Sequence, residues 1–223
     1  MLNNKSVLKF FSHDSDKSKM LEAELAQLKA QVKAVNDKTS ESELKRLQEK
    51  TDLISAQVVA LRTIGLMKLS ITEFKNLPHI KIDEKDMTNL QVFEQRKATI
   101  LRCSELTKEQ FDLLATPDFH HLYQDVCHYI LTPADAVNGE ILDEDTFSFD
   151  LLHTFENEVG EKIEHVRFRV PKTIHSEKLA ELTDDEERED FMFRVVTGLE
   201  QRDFEYLSTN DYLALKPQVG AFF

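Results

Sequence analysis

Five side chains near the middle of this chain, Cys103, His120, His121, Cys127 and His128, are of the types that hold zinc. Zinc sites bring their ligands in close pairs, such as Cys-x2-Cys or His-x3-His, so that one turn or one helix face presents two at once. Here the cysteines stand 24 positions apart. Cys127 and His128 are adjacent, so on a helix they point about a quarter turn apart. A cysteine at an apolar helical position, as Cys103 is, acts as a small hydrophobe. The spacing predicts no metal and no cofactor.

Nucleophilic and phosphate chemistry are equally short of their patterns. There is no Gly-x-Ser-x-Gly elbow, no Gly-rich phosphate loop and no His-Glu-x-x-His helix. The acidic run Asp184-Asp185-Glu186-Glu187 falls at a predicted helix start, where negative charge suits the helix dipole. Asp118 and Asp211 also fall in a first helical turn, which accounts for them without catalysis. An enzyme is not expected, and no catalytic residues are assigned.

Apolar surface is the more informative quantity. The chain holds 15 Phe and no Trp, and it ends Gln-Val-Gly-Ala-Phe-Phe. Most of these rings must fill cores, since small units need every large apolar side chain. Phe204, Tyr206, Tyr212, Phe222 and Phe223 are the candidates to line a groove for a partner helix. With 41 acidic against 28 basic residues the net charge is -13, which argues against nucleic acid and anionic membranes. Two cysteines are too few for a secreted disulfide framework. The N-terminus carries no secretory signal, and no apolar run approaches the ~20 residues that span a bilayer. A cytoplasmic protein is expected.

The elements that position these residues are announced by internal repetition, in which each copy should be one structural unit. Pro78 to Val126 recurs without a gap, offset by 93 positions, as Pro171 to Val219. Pro78, Glu84 and Lys85 recur as Pro171, Glu177 and Lys178. Leu106, Phe111, Leu114, Thr116, Asp118, Leu122 and Val126 recur as Leu199, Phe204, Leu207, Thr209, Asp211, Leu215 and Val219. Each copy predicts three helices: about Phe93–Glu105, Lys108–Leu114 and one beginning after Thr116, matched by Glu186–Gly198, Gln201–Leu207 and one after Thr209. Leu114 and Leu207 should be core, and the hydroxyls of Thr116 and Thr209 should cap the third helix. Proline biases its predecessor to extended geometry, so Leu77 and Val170 are expected strand ends.

Ahead of the repeats, Leu21, Leu25, Leu28, Val32 and Val35 alternate spacings of four and three, as a coiled-coil seam does. A second seam runs through Leu44, Leu47, Thr51, Ile54, Val58 and Leu61. The turn formers of residues 36–42, with Ser40 and Ser42 as cap candidates, put the seams out of phase. That suits an antiparallel helical hairpin, with a continuous dimerising rod as the alternative. Between the copies, Phe147, Phe149 and Leu151, and then Val166, Phe168 and Val170, alternate with polar residues around Gly160, which reads as a β-hairpin. The first copy shows no comparable hairpin; Lys68–Lys75 offers one strand at most. The expected fold is mainly α with a small β-hairpin: a flexible leader (1–15), a coiled-coil hairpin (16–64), a first three-helix unit (65–134), an acidic linker (135–146), and a β-hairpin with the second unit (147–223). Residues 16–64 are also the candidate homo-oligomer contact.

The stretch from 147 onward resembles the small tail assembly chaperones of Mu-like and P2-like phages and prophages. The resemblance is carried by Val166-Arg167-Phe168-Arg169-Val170-Pro171-Lys172, then Val195-Val196-Thr197-Gly198-Leu199, then Phe204 to Tyr212 with its Asp211-Tyr212 pair, and a terminal Ala221-Phe222. It covers a third of the chain. The first copy departs from it, with Glu105 in place of Gly198 and Asp118-Phe119 in place of Asp-Tyr. The resemblance implies a non-catalytic protein of the bacterial host cytoplasm that binds the tape-measure protein, and possibly other tail proteins, during assembly. A structural or adaptor coiled-coil protein retained in the tail is the competing expectation.

Overall fold

The computed structural model describes residues 2–35, 41–140, 142 and 146–223, which are mainly helical with two small antiparallel sheets. Strand β1 (Lys5–Val7) pairs with β2 (Thr63–Gly65). Between the two strands in sequence run α1 (Ser15–Lys33) and α2 (Glu41–Arg62), folded back on each other. Their seams face inward as the heptad spacing predicts: Leu28, Ile54 and Val58 are buried, and Leu21, Leu25, Val32, Leu44, Leu47 and Leu61 half-buried. Arg62 and Lys50 of α2 pair with Glu22 and Glu24 of α1 at 2.6 and 2.9 Å. Ser40 lies outside the described residues, and Ser42 falls inside α2.

Residues 2–15 are not a flexible leader. Leu8 and Phe11 are 1% and 6% exposed within the first unit's core, and Asp14 caps α1 by accepting from the Lys17 N–H. The first copy therefore has its own β-hairpin, with the coiled coil inserted between its strands.

After β2 come α3 (Ile71–Lys75), α4 (Asn89–Cys103), α5 (Lys108–Asp112), α6 (Thr116–Leu131) and α7 (Ala134–Asn138). The second hairpin is β3 (Ser148–Glu156) with β4 (Lys162–Arg167), followed by α8 (Thr173–Glu181), α9 (Asp185–Thr197), a 3-10 turn over Gln201–Glu205 and α10 (Thr209–Ala221). From α4 onward the two units keep the ungapped register: α5 coincides with the 3-10 turn, and α6 and α10 begin at matched threonines. Ahead of α4 the equivalence shifts. Leu66 N–H donates to Asn4 O and Met67 N–H to Cys103 O, just as Phe168 N–H donates to Phe147 O and Arg169 N–H to Val196 O. Leu66 thus corresponds to Phe168, and the matched Pro78 and Pro171 are not equivalent. Pro78 lies in a turn, whereas Pro171 directly precedes the N-cap of α8.

Four further expectations change. Residues 68–75 form no strand, because Ser70 and Glu73 build a capping box that starts α3. Leu77 falls in a bend and Val170 lies beyond the end of β4. The acidic linker holds α7, ended by Gly139 in the left-handed region (φ 72°); residues 141 and 143–145 lie outside the described residues. The threonines do not cap: Ala115 and Ser208 are the N-caps, so Thr116 and Thr209 are first helical residues, and only Ser208 supplies a capping oxygen.

The units interlock. Ile71 and Ala134, from elements that precede β3, sit in the second unit's core. Asn210, fully buried at the start of α10, donates its side-chain amide to the carbonyls of Tyr129 and Thr132, each at 2.8 Å, at the end of α6. Leu207 is 0% exposed, whereas Leu114 is only half-buried. Leu207→Ala is therefore expected to lose roughly 2–5 kcal/mol by the cavity rule, and Leu114→Ala distinctly less. Urea denaturation of the two variants checks the order.

Candidate interaction surface

The cysteine–histidine group does not converge. Cys103 is buried on α4 and its thiol is pushed up to about 12, chiefly by burial. Burial also raises Cys127 on α6, whose thiol faces Tyr123. His121 turns instead to Asp125 at 3.4 Å, and His128 is 3.5 Å from the Thr132 hydroxyl. Among the described residues no three His, Cys, Asp or Glu side chains gather as a metal site.

One constellation resembles a nucleophilic triad in its residue types. Ser208 donates its hydroxyl to Asp211 Oδ2 at 2.5 Å, and His153 is adjacent. A nucleophilic serine needs the imidazole between itself and the carboxylate. Here His153 donates its backbone N–H to Asp211, while its ring lies against Tyr129. Both Ser208 and Asp211 are 0% exposed. Burial raises Asp211 more than its hydrogen bonds from Ser208, Leu152 and His153 lower it. The group is an anchor for β3. Asp118 does the same in the first unit, accepting from the N–H groups of Lys9, Phe10 and Phe11 at 2.7–2.9 Å. Sequence position alone showed both aspartates in a first helical turn; the reach of Asp211 to β3, and of Asp118 to the segment after β1, was not visible there.

The aromatic candidates divide. Phe204 and Tyr212 are 7% and 6% exposed and pack on Phe193, Tyr212 stacked at 4.8 Å, so the core claims them. Tyr206 is 38% exposed and stacks on Phe155. Phe222 is half-buried against Phe147 and Phe168, and Phe223 is exposed beside it. Gly198 ends α9 in the left-handed region (φ 73°), and a Cβ there would meet the Arg169 guanidinium at 2.6 Å. In the resemblance-bearing unit the remaining surface candidates are thus Tyr206, Phe222 and Phe223.

Sequence reasoning missed an apolar surface on the first unit. Phe93, Phe111 and Phe119 meet ring to ring at 5.6–6.5 Å and line an apolar groove of about 360 Å³ with Leu114 and His120. Phe93 is 44% exposed on its edge, with Leu90 and Leu113 also exposed. The signal was present: Phe93 stands where the second copy has Glu186.

No family model, curated protein or solved structure matches the chain. What the surface can do is therefore read from its own residues. Nor, among the described residues, is any helix long and apolar enough to cross a membrane.

Proposed function

We propose that this chain is a non-catalytic assembly chaperone of a phage or prophage tail, acting in the bacterial cytoplasm, that covers the apolar helices of a tape-measure protein until the tail closes around them. The observation that supports it most is the unit of residues 147–223. Its β-hairpin, α9 ended by Gly198, and α10 opening on Asp211-Tyr212 follow in the order of the resembling motifs, and its aromatic Tyr206, Phe222 and Phe223 remain at least partly accessible. Long uncovered apolar helices aggregate, and two linked helical units would add avidity in covering them.

Co-expression with the neighbouring tail proteins tests the reading. The full chain is expected to retain the tape-measure protein through a wash at moderate salt, because apolar contact is little screened. Phe223→Asp combined with Tyr206→Asp should weaken retention while leaving the helical signal intact. If no tape-measure protein is retained and intact particles contain this chain, the retained-adaptor reading replaces it. That second reading is favoured by one observation: Met20, Leu53 and Val59 are exposed on the helical hairpin. The seam itself is used between α1 and α2, so an oligomer through residues 16–64 would need that outer face.

A further inference from the structure

In the second unit, the place that corresponds to the first unit's open groove is filled by α3. Ile71 lies in the second core with Phe74 packed against it. Phe204, Glu205, Thr209, Tyr212 and Leu213 line the clefts on either side of α3. Backbone groups seat the segment as well. Ile71 N–H donates to Leu207 O at 3.0 Å, and Thr209 N–H donates to Leu69 O at 2.8 Å, a short antiparallel bridge just ahead of the helix. Carried to the first unit, these positions are Phe111, Asp112, Thr116, Phe119 and His120, with Leu114 O and Thr116 N–H as the bridging groups. Among the described residues neither of those two backbone groups has a protein partner.

We propose that the first unit's aromatic groove docks a segment of a partner protein that runs extended and then turns into a short helix, with apolar side chains at the first and fourth helical positions and a carboxylate at the fifth. The apolar pair copies Ile71 and Phe74. The carboxylate follows from an inversion of charge. In the second unit Lys75 stands 3.9 Å from both Glu189 and Asp190. The matched positions in the first unit are Arg96 and Lys97. Arg96 lies over the Tyr123 ring and Lys97 over the Phe111 ring of the groove, and their carboxylate partners, Glu84 at 3.1 Å and Asp112 at 3.0 Å, are exposed, so those partners exchange at little cost. Phe93, in place of Glu186, extends the apolar floor at the same edge.

Two segments of the chain that could enter the groove of a second copy fit it poorly, residues 69–75 in charge and α8 in its apolar pair, which favours a different protein. Residues 69–75 of a second copy would bring Lys75 against Arg96 and Lys97. Helix α8 follows β4 as α3 follows β2, but counted from the N-caps Ser70 and Lys172 it offers Thr173 and Ser176 where α3 offers Ile71 and Phe74. The site concerns the first unit and stands whether or not the partner is a tape-measure protein.

The test uses the full chain and a synthetic peptide of residues 68–77 carrying Lys75→Glu, with a benzophenone side chain replacing Phe74 for photo-crosslinking. Saturable binding is expected, with crosslinks confined to residues 93–120. The peptide with Lys75 retained should bind at least about ten-fold more weakly, a difference near 1.4 kcal/mol. Arg96→Glu with Lys97→Asp should reverse that order, which a merely structural role for the two residues would not do. Phe93→Glu should weaken the Lys75→Glu peptide about ten-fold or more; His120→Glu, at an exposed position on the groove, serves if that variant loses its helical signal. Absence of saturation up to roughly millimolar peptide would overturn the proposal. So would crosslinks at residues 186–213, which would mean that the peptide only displaces α3. Self-association in sedimentation that Phe93→Glu abolishes would likewise hand the groove to a second copy.

Discussion

Asp118→Ala is expected to cost about 3–5 kcal/mol of unfolding free energy, more than any surface change in this chain. The carboxylate is 2% exposed and takes three backbone N–H groups, from Lys9, Phe10 and Phe11, across a separation of more than a hundred residues. Alanine leaves all three donors without their acceptor, and the Phe11 bond is fully buried. The penalty follows from stranding donors as much as from losing bonds. Asp118→Asn keeps one acceptor oxygen and should recover part of the loss. Urea denaturation of the two variants decides it, and a loss below about 1 kcal/mol for alanine would mean that the N-terminal segment is held by other contacts.

The second large effect separates two deletions that sequence would rank alike. Removing residues 1–64 is expected to unfold the first unit, because it takes away β1, the buried Leu8 and Phe11, and all of Asp118's backbone partners. Excising only residues 20–57, with a short glycine-rich turn closing the cut, should leave the fold in place. The first turn of α1 and the last turn of α2 stay adjacent through the His13 N–H to Leu61 O bond and through the paired strands β1 and β2 just outside the cut. Circular dichroism and thermal melting distinguish the two. The coiled coil is thus expected to be separable from the rest of the chain, whereas the strand ahead of it is not.

The coiled coil was legible because a seam repeats every 3.5 residues whatever surrounds it. The β3–β4 hairpin was legible because its strands alternate and share a near turn. The β1–β2 hairpin was not, since three-residue strands carry too little alternation and their partners lie on either side of α1 and α2. Capping at Thr116 and Thr209 was misplaced by one position, because Ser208 next to Thr209 has the same chemistry and only the backbone angle separates them. The groove was hidden for a different reason. Phe111 and Phe119 match Phe204 and Tyr212, and the groove-lining role was read onto the second pair; the two pairs differ in whether a helix from elsewhere in the chain lies over them.

The position of the coiled coil also bears on how the chain finds its fold. Strands β1 and β2 are too short to find each other unaided across the intervening residues; closing a flexible loop of that length costs about 3.5 kcal/mol of chain entropy. Contacts between α1 and α2 are local and self-contained, and helical hairpins of this kind form before distant strands pair. As the two helices zip toward their base, they deliver Val7 and Thr63 to each other already in register. The inserted hairpin is thus expected to act as a template for nucleation, with α1 and α2 protected from hydrogen exchange before β1 and β2 pair during refolding.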